Sequence, residues 1–136
     1  MIGIVAAKPE TLFTAKVLKH LPKTIYHMKN NNPYTGGIPD LWFSGVSGDL
    51  WVEMKYIPRV PQRGNVSPMK LLSPLQAKWL HDRHAEGRAV GVIVGCPTGG
   101  AIFINNEWEN EITAKDYSAL VHSTPEIATW IASQVL

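Results

Sequence analysis

In the run WVEMK, Glu53 and Lys55 stand two residues apart, interleaved with Val52 and Met54. On an extended strand this spacing sends the carboxylate and the amine to one face and the two apolar side chains to the other. Asp40 opens the preceding apolar run, and a hairpin folded at residues 44–48 brings it alongside Glu53 in register. Two carboxylates pressed together repel, which raises one pKa or demands a cation. A hard divalent ion meets that demand, and Mg²⁺ commonly takes one or two carboxylates together with waters and phosphate oxygens. A lysine on the same strand can align or help deprotonate a water and offset charge building on a phosphate. Such a set is equipped to hydrolyse a phosphodiester.

The elements that must hold these groups follow from pattern and punctuation. Pro9 suits the first helical position, Glu10 suits the positive end of a helix dipole, and Leu12, Phe13, Val17, Leu18 and Leu21 make an apolar stripe. A helix is therefore expected over 9–21, stopped by Pro22, after an opening MIGIVAA that could be a strand or a buried tail. Residues 28–37, MKNNNPYTGG, read as a loop, and the pairs Gly36-Gly37 and Gly99-Gly100 as turns. The runs IPDLWF and DLWVEMKYI predict two strands, joined through SGVSG by a loop longer than two residues, with Asp49 in that loop. Residues 58–72 carry Pro58, Pro61, Gly64 and Pro68 with Arg59, Arg63 and Lys70, and predict an exposed, basic, mobile loop.

Ser73, Pro74 and Gln76 then fit the N-cap, first and third positions of a capping box, opening a helix that Gly87 stops. AVGVIVG is uncharged over its length, as a strand covered on both faces would be, and CPTGG turns it into AIFI. Thr113 and Thr124 are expected to cap two last helices. This order predicts an α/β fold with a mixed sheet flanked by helices.

Pro39-Asp40 followed by Glu53-Met54-Lys55 is similar to the P-D…(D/E)-x-K signature of the restriction-endonuclease-like nuclease superfamily. With GGIPDLWF, DLWVEMK and LSPLQAKWL in that order, the chain most resembles the branch holding VRR-NUC domains and Holliday-junction-resolvase-like nucleases, small phage enzymes among them. The resemblance spans about residues 9–104 and implies a restriction-endonuclease-like fold. It also implies Mg²⁺, replaceable by Mn²⁺, and cleavage of DNA leaving 5′-phosphate and 3′-hydroxyl ends. It assigns Gln76 to the active site and makes Glu10 the acidic residue on the first helix that completes the metal set with Asp40 and Glu53. The stretch between Lys55 and Ser73 is longer and richer in proline than that branch leads one to expect.

Length and composition set the bounds. The 136 residues, 45% hydrophobic and 18% charged, predict one domain, with a nuclease core over about 9–104 and an acidic helical tail over about 105–136. No apolar window is long enough for a transmembrane helix and the start lacks a secretory pattern, so neither membrane insertion nor secretion is expected. A lone cysteine, Cys96, rules out an internal disulfide or a multi-cysteine zinc site, and is read as a buried strand end in a reducing cytoplasm, the host's if the protein is phage-encoded. The net charge of +2 conceals +2 over residues 1–52, +4 over 53–104 and −4 beyond. Arg59, Arg63 and Lys70 in the basic middle are candidate contacts to DNA phosphates. His81 and His84 read as a solvated helix face, and the five tryptophans as core or dimer packing rather than base stacking.

The expected protein is a metal-dependent endonuclease, with a junction resolvase preferred over a nicking endonuclease. Symmetric cutting of a two-fold substrate needs two active sites, which a homodimer supplies. A DNA-binding accessory protein that keeps the fold without useful turnover is the alternative, and a sugar- or nucleotide-directed hydrolase is a third reading.

Overall fold

A computed structural model describes residues 7–30 and 36–136; the opening run to Ala6 and the centre of the predicted 28–37 loop lie outside them. Five strands form the main sheet: β1 (Tyr26–Lys29), β2 (Leu41–Gly45), β3 (Gly48–Tyr56), β5 (Val90–Cys96) and β6 (Gly99–Phe103), in the order β1-β2-β3-β5-β6. Only the central β3–β5 pair is parallel, with Glu53 opposite Val92; every other pairing in this sheet is antiparallel. The crossover joining these parallel strands contains α3 (Pro74–Ala85). The result is the mixed sheet flanked by helices that the pattern predicts.

Each sheet face has its own core. On one, Leu50, Val52 and Met54 pack with Phe13 and Val17 of α1 (Pro9–Leu18) and with Ile127, Ile131 and Val135 of α5 (Thr124–Val135). On the other, Val90, Val92 and Val94 pack with Leu80 of α3, Trp108 and Tyr117 of α4 (Ala114–Leu120). Each fully buried side chain of this size contributes roughly 1.5–3 kcal/mol relative to exposure. β5 is buried along its whole length, and Cys96 ends it as a buried thiol. Residues 105–136, acidic in sequence, thus supply through α5 a wall of the first core. No helix among the described residues is long and apolar enough to cross a membrane.

Several boundaries differ from expectation. α1 ends at Leu18 rather than 21, because its last residues tighten into turns, His20 N–H donating to Val17 O and Leu21 N–H to Leu18 O, ahead of Pro22. Met28 and Lys29, expected in a loop, belong to the exposed edge strand β1. The hairpin tip is the two-residue turn Val46-Ser47, since Gly45 and Gly48 pair and Asp49 is already in β3. α5 pins that tip: Ser47 N–H donates to Val135 O at 2.8 Å, and a Cβ on Gly45 would collide with the same carbonyl.

The stretch 58–72 is not a structureless loop. β4 (Asn65–Val66) pairs with β7 (Ile112–Thr113), and α2 (Pro68–Leu71) is capped by Ser67. Burial of Val66, Pro68 and Leu72 anchors it. Thr113 caps α4 as expected, but Ser123 rather than Thr124 caps α5, because Ser123 and Glu126 have the spacing of a capping box.

Candidate active site

The site is built where β2 stops and β3 continues. The antiparallel register pairs Leu41 with Val52, so Asp40, one residue before β2, falls opposite Glu53. Each carboxylate takes a backbone N–H from the other strand. Asp40 N–H donates to Glu53 Oε2 at 3.2 Å, and Met54 N–H donates to Asp40 Oδ1 at 3.0 Å. These crossed bonds do the work of ladder hydrogen bonds and fix both side chains to the backbone.

Lys55, two residues along the same face, brings Nζ to 3.6 Å from Glu53 Oε1. Gln76 reaches the same oxygen from α3, Nε2 donating at 3.1 Å. Its amide has no freedom to turn over, because Ser73 N–H donates to Gln76 Oε1 at 2.9 Å and Gln76 N–H to Ser73 Oγ at 3.1 Å. The capping box holds the carbonyl end, so the NH₂ end must face Glu53. One residue thus starts a helix and anchors a carboxylate.

Glu53 is only 5% exposed. Burial pushes its pKa up to about 8, and the neighbouring Asp40 charge adds to the rise while Lys55 opposes it. Burial likewise pushes Asp40 up to about 6, against the Met54 N–H, which favours its ionised form. The pair titrates as a unit. With one ammonium nearby, one buried carboxylate and one half-buried, this pocket is short of positive charge.

Glu10 is in the first turn of α1, and its charge raises both pKa values. Glu10 stands apart from the pair: among the described residues no group of three or more His, Cys, Asp and Glu gathers at metal-binding distance. The reason is that α1 packs on the Val52 and Met54 face of the sheet, so Glu10 reaches the pair through its field. The donor set that remains, two oxygen-bearing side chains short of compensating charge, fits a hard divalent cation completed by waters and substrate oxygens.

The basic residues divide. Arg59 and Lys70 line one groove of about 210 Å³ with Asn65, Ser67 and Glu111, while Arg63 sits on the exposed turn outside it. None of the three forms an ion pair among the described residues. His81 is not simply solvated, since Nδ1 lies 2.7 Å from Glu109 Oε1.

Gly37 is a positioning residue that reading the pair Gly36-Gly37 as a plain turn overlooks. It has φ +88°, and a Cβ there would stand 2.5 Å from Leu75 O at the start of α3. Close approach of this backbone to α3 sets Asp40 and Gln76 around one carboxylate. A glycine pair shortly before Pro39-Asp40 was the available signal.

No family model and no curated protein matches the chain. Among solved structures it is similar to Hjc, a Holliday junction resolvase of the archaeal hyperthermophile Archaeoglobus fulgidus, with a TM-score of 0.52 and 16% identity. The match covers 90% of this chain and 97% of that one. The fold is that of Hjc. It is the restriction-endonuclease-like arrangement that the Asp40 and Glu53-Met54-Lys55 motif implies, and the Hjc likeness runs further along the chain than residues 9–104 alone.

Proposed function

We propose that this protein is a divalent-metal-dependent endonuclease that hydrolyses DNA phosphodiester bonds, acting on branched DNA as a junction resolvase in recombination. The observation that carries this reading is the threefold contact around one buried carboxylate: Asp40, Lys55 and Gln76 all converge on Glu53. A purely structural role for Glu53 is disfavoured, because its burial beside Asp40 raises its pKa and costs stability that the one ion pair, to Lys55 at 3.6 Å, does not offset. The Hjc fold, whose named member is a Holliday junction resolvase, supports the choice of substrate.

In this reading Asp40 and Glu53 hold the cation, and the Glu10 charge strengthens its attraction. A bound Mg²⁺, or Mn²⁺ in its place, supplies Lewis-acid activation of the phosphate and a more acidic water. Asp40 N–H and Met54 N–H keep the two carboxylates from swinging away. Lys55 Nζ orients the attacking water and offsets charge gathering on the phosphate. Gln76 Nε2 fixes the rotamer of Glu53. Water adds to phosphorus in line with the departing 3′ oxygen, which leaves a 5′-phosphate and a 3′-hydroxyl. Arg59, Arg63 and Lys70 contact flanking phosphates. A homodimer places two such sites on a two-fold junction, in the cytoplasm, and within the fold we assign the chain to the VRR-NUC-like branch of small phage enzymes.

The test is a cleavage panel of single-stranded, duplex, flap and four-way-junction DNA with Mg²⁺, Mn²⁺ or EDTA. Metal-dependent cutting, strongest on the four-way junction, is expected. Intact DNA in every lane would sink the reading. A monomer that makes single nicks would leave a nuclease but remove the resolvase.

A further inference from the structure

The two elements that carry Glu53 and Gln76 also carry an aromatic wall. Trp51 is two residues before Glu53 on the same face of β3, and Trp79 is one turn after Gln76 on α3. Their rings meet edge to face with centroids 5.4 Å apart. The wall continues outward to Trp42, 6.1 Å from Trp51, and to Tyr26 on the edge strand, 5.7 Å from Trp42. At its other end the Arg83 guanidinium lies 5.8 Å over the Trp79 ring.

These rings are only partly spent on packing, Trp51 and Trp79 leaning on the second core with one side. Trp108 is fully buried, as a core tryptophan should be, whereas Trp42, Trp51 and Trp79 are half-buried and Tyr26 is exposed. Trp51 and Trp79 line a cavity of about 580 Å³ together with Arg83, Arg88 and Asp49. Arg88 is exposed at its rim, on the turn that Gly87 opens. A cavity of this size suits a small planar group. Its walls offer π-faces and its rim offers the Arg88 guanidinium for phosphate, beside Arg83, which Glu86 holds at 2.7 Å, and Asp49, which accepts from Trp42 Nε1 at 3.2 Å.

A base shows its π-face only when it is unpaired and unstacked; inside a duplex both faces are covered. We propose that the Trp51 and Trp79 cavity receives an unpaired nucleobase of the DNA strand adjoining the cut, with Arg83 and Arg88 on its phosphates. Two residues of strand span roughly 7 Å, so a nucleotide next to one held at Glu53 lies within reach of Trp51. The proposal rests on the nuclease reading and narrows its substrate to branched DNA in which a nucleotide beside the scissile bond is unpaired or unstacked at the branch point.

The test uses the full chain in EDTA, where nothing is cut, with oligo-dT and a blunt duplex of equal length as probes. Oligo-dT should quench tryptophan emission. Trp79→Ala should weaken oligo-dT binding roughly tenfold, the scale of one lost base–aromatic stack, and spare the blunt duplex. Trp79→Phe should keep most of the affinity. Arg88→Glu, on the exposed turn, should weaken oligo-dT binding even if Trp79→Ala fails to fold. Unchanged emission, wild-type oligo-dT binding by a folded Trp79→Ala, or wild-type oligo-dT binding by Arg88→Glu overturns the proposal. So does a shift in oligomeric state without a change in DNA binding, which assigns the wall to a second copy of the chain. Cleavage with Mg²⁺ separates the two claims. If every DNA survives while oligo-dT binding still depends on Trp79, the nuclease reading fails and the base pocket stands. If Trp79→Ala cuts and binds as wild type does, the pocket fails and the nuclease stands.

Discussion

β3 and β5 run side by side and parallel at the centre of the sheet, yet they are built on opposite principles. β5 is VGVIVGC, apolar on both faces; β3 places Glu53 where β5 places Val92, 5% exposed against 0%. Val92 contributes to the core by its burial. Glu53 is buried against its own chemistry, which its raised pKa records. A chain selected only to fold would put a second valine there, so on the proposed function the difference marks which strand the reaction shapes.

Exchanging the strands' liabilities gives the largest predicted effects. Glu53→Gln is expected to lower DNA cleavage by about 10³-fold, while DNA binding survives. The same substitution should raise the midpoint of thermal unfolding at pH 8 in EDTA, because an amide needs no proton to be neutral in that pocket. Val92→Ala is expected to do the reverse, losing roughly 2 kcal/mol of stability and cutting normally at a temperature where it is folded. Melting curves and cleavage rates for both variants check the pair. A Glu53→Gln protein that is less stable than wild type in metal-free buffer would remove the contrast.

pH and metal sharpen the same contrast without mutation. Asp40 and Glu53 rise from ordinary values of 3.8 and 4.5 to about 6 and about 8. Across that window the folded pair holds more protons than the unfolded chain does. The metal-free protein therefore has its full stability below the ordinary values and loses it as pH rises through the raised ones. On the proposed function Mg²⁺ would displace those protons, so its stabilising effect is expected to be large at pH 8 and small at pH 5. Thermal melts at the two pH values, with Mg²⁺ or EDTA, measure it. An identical pH slope in the Asp40→Asn, Glu53→Gln double variant would show that other groups are responsible.

How much of this was legible in the sequence depends on which physics fixed each part. The meeting of Asp40 with Glu53 could be read because strand alternation has period 2 and a hairpin mirrors its arms; a tip that gives up equal numbers of residues to its two arms keeps that register. The expected longer loop and the observed Val46-Ser47 turn bring the same residues together. β1 could not be read: Tyr26–Lys29 is exposed at every position, so no apolar pattern distinguishes it from a polar loop, and only pairing with β2 makes it a strand. The β4–β7 pair is two residues long on each side and joins distant segments. Glu10 was placed correctly on α1, but which sheet face α1 would cover is a packing outcome that one helix's stripe does not determine.

Gly37 tests whether the site depends on the backbone beyond the two strands. Gly37→Ala introduces a Cβ at φ +88° and 2.5 Å from Leu75 O, so the loop before Asp40 must lift from α3. The expected cost is roughly 1–2 kcal/mol from the left-handed conformation alone. Cleavage should fall by roughly 10–100-fold, the scale of a misaligned supporting contact. Gly48→Ala, which meets no neighbour at the hairpin tip, is the control for a backbone change remote from α3. Equal cleavage by the two variants would mean that α3 need not be pressed against that loop.

The smallest predicted effects separate helix stability from site geometry. α3 and α5 start with the same device, Ser73 with Gln76 and Ser123 with Glu126, each side chain bonded to the other residue's backbone N–H. Only the first also holds a β3 carboxylate, through Gln76 Nε2 and Glu53 Oε1. Ser73→Ala and Ser123→Ala should therefore each cost about 1 kcal/mol, the usual loss of an N-cap. Their effects on cleavage should differ. Ser73→Ala frees the helix start that aims the Gln76 amide and lowers the rate several-fold, whereas Ser123→Ala, on the helix that walls the opposite core, leaves it unchanged. Matched rates in the two variants, at matched losses of stability, would reduce Gln76 to a helix cap that happens to touch Glu53.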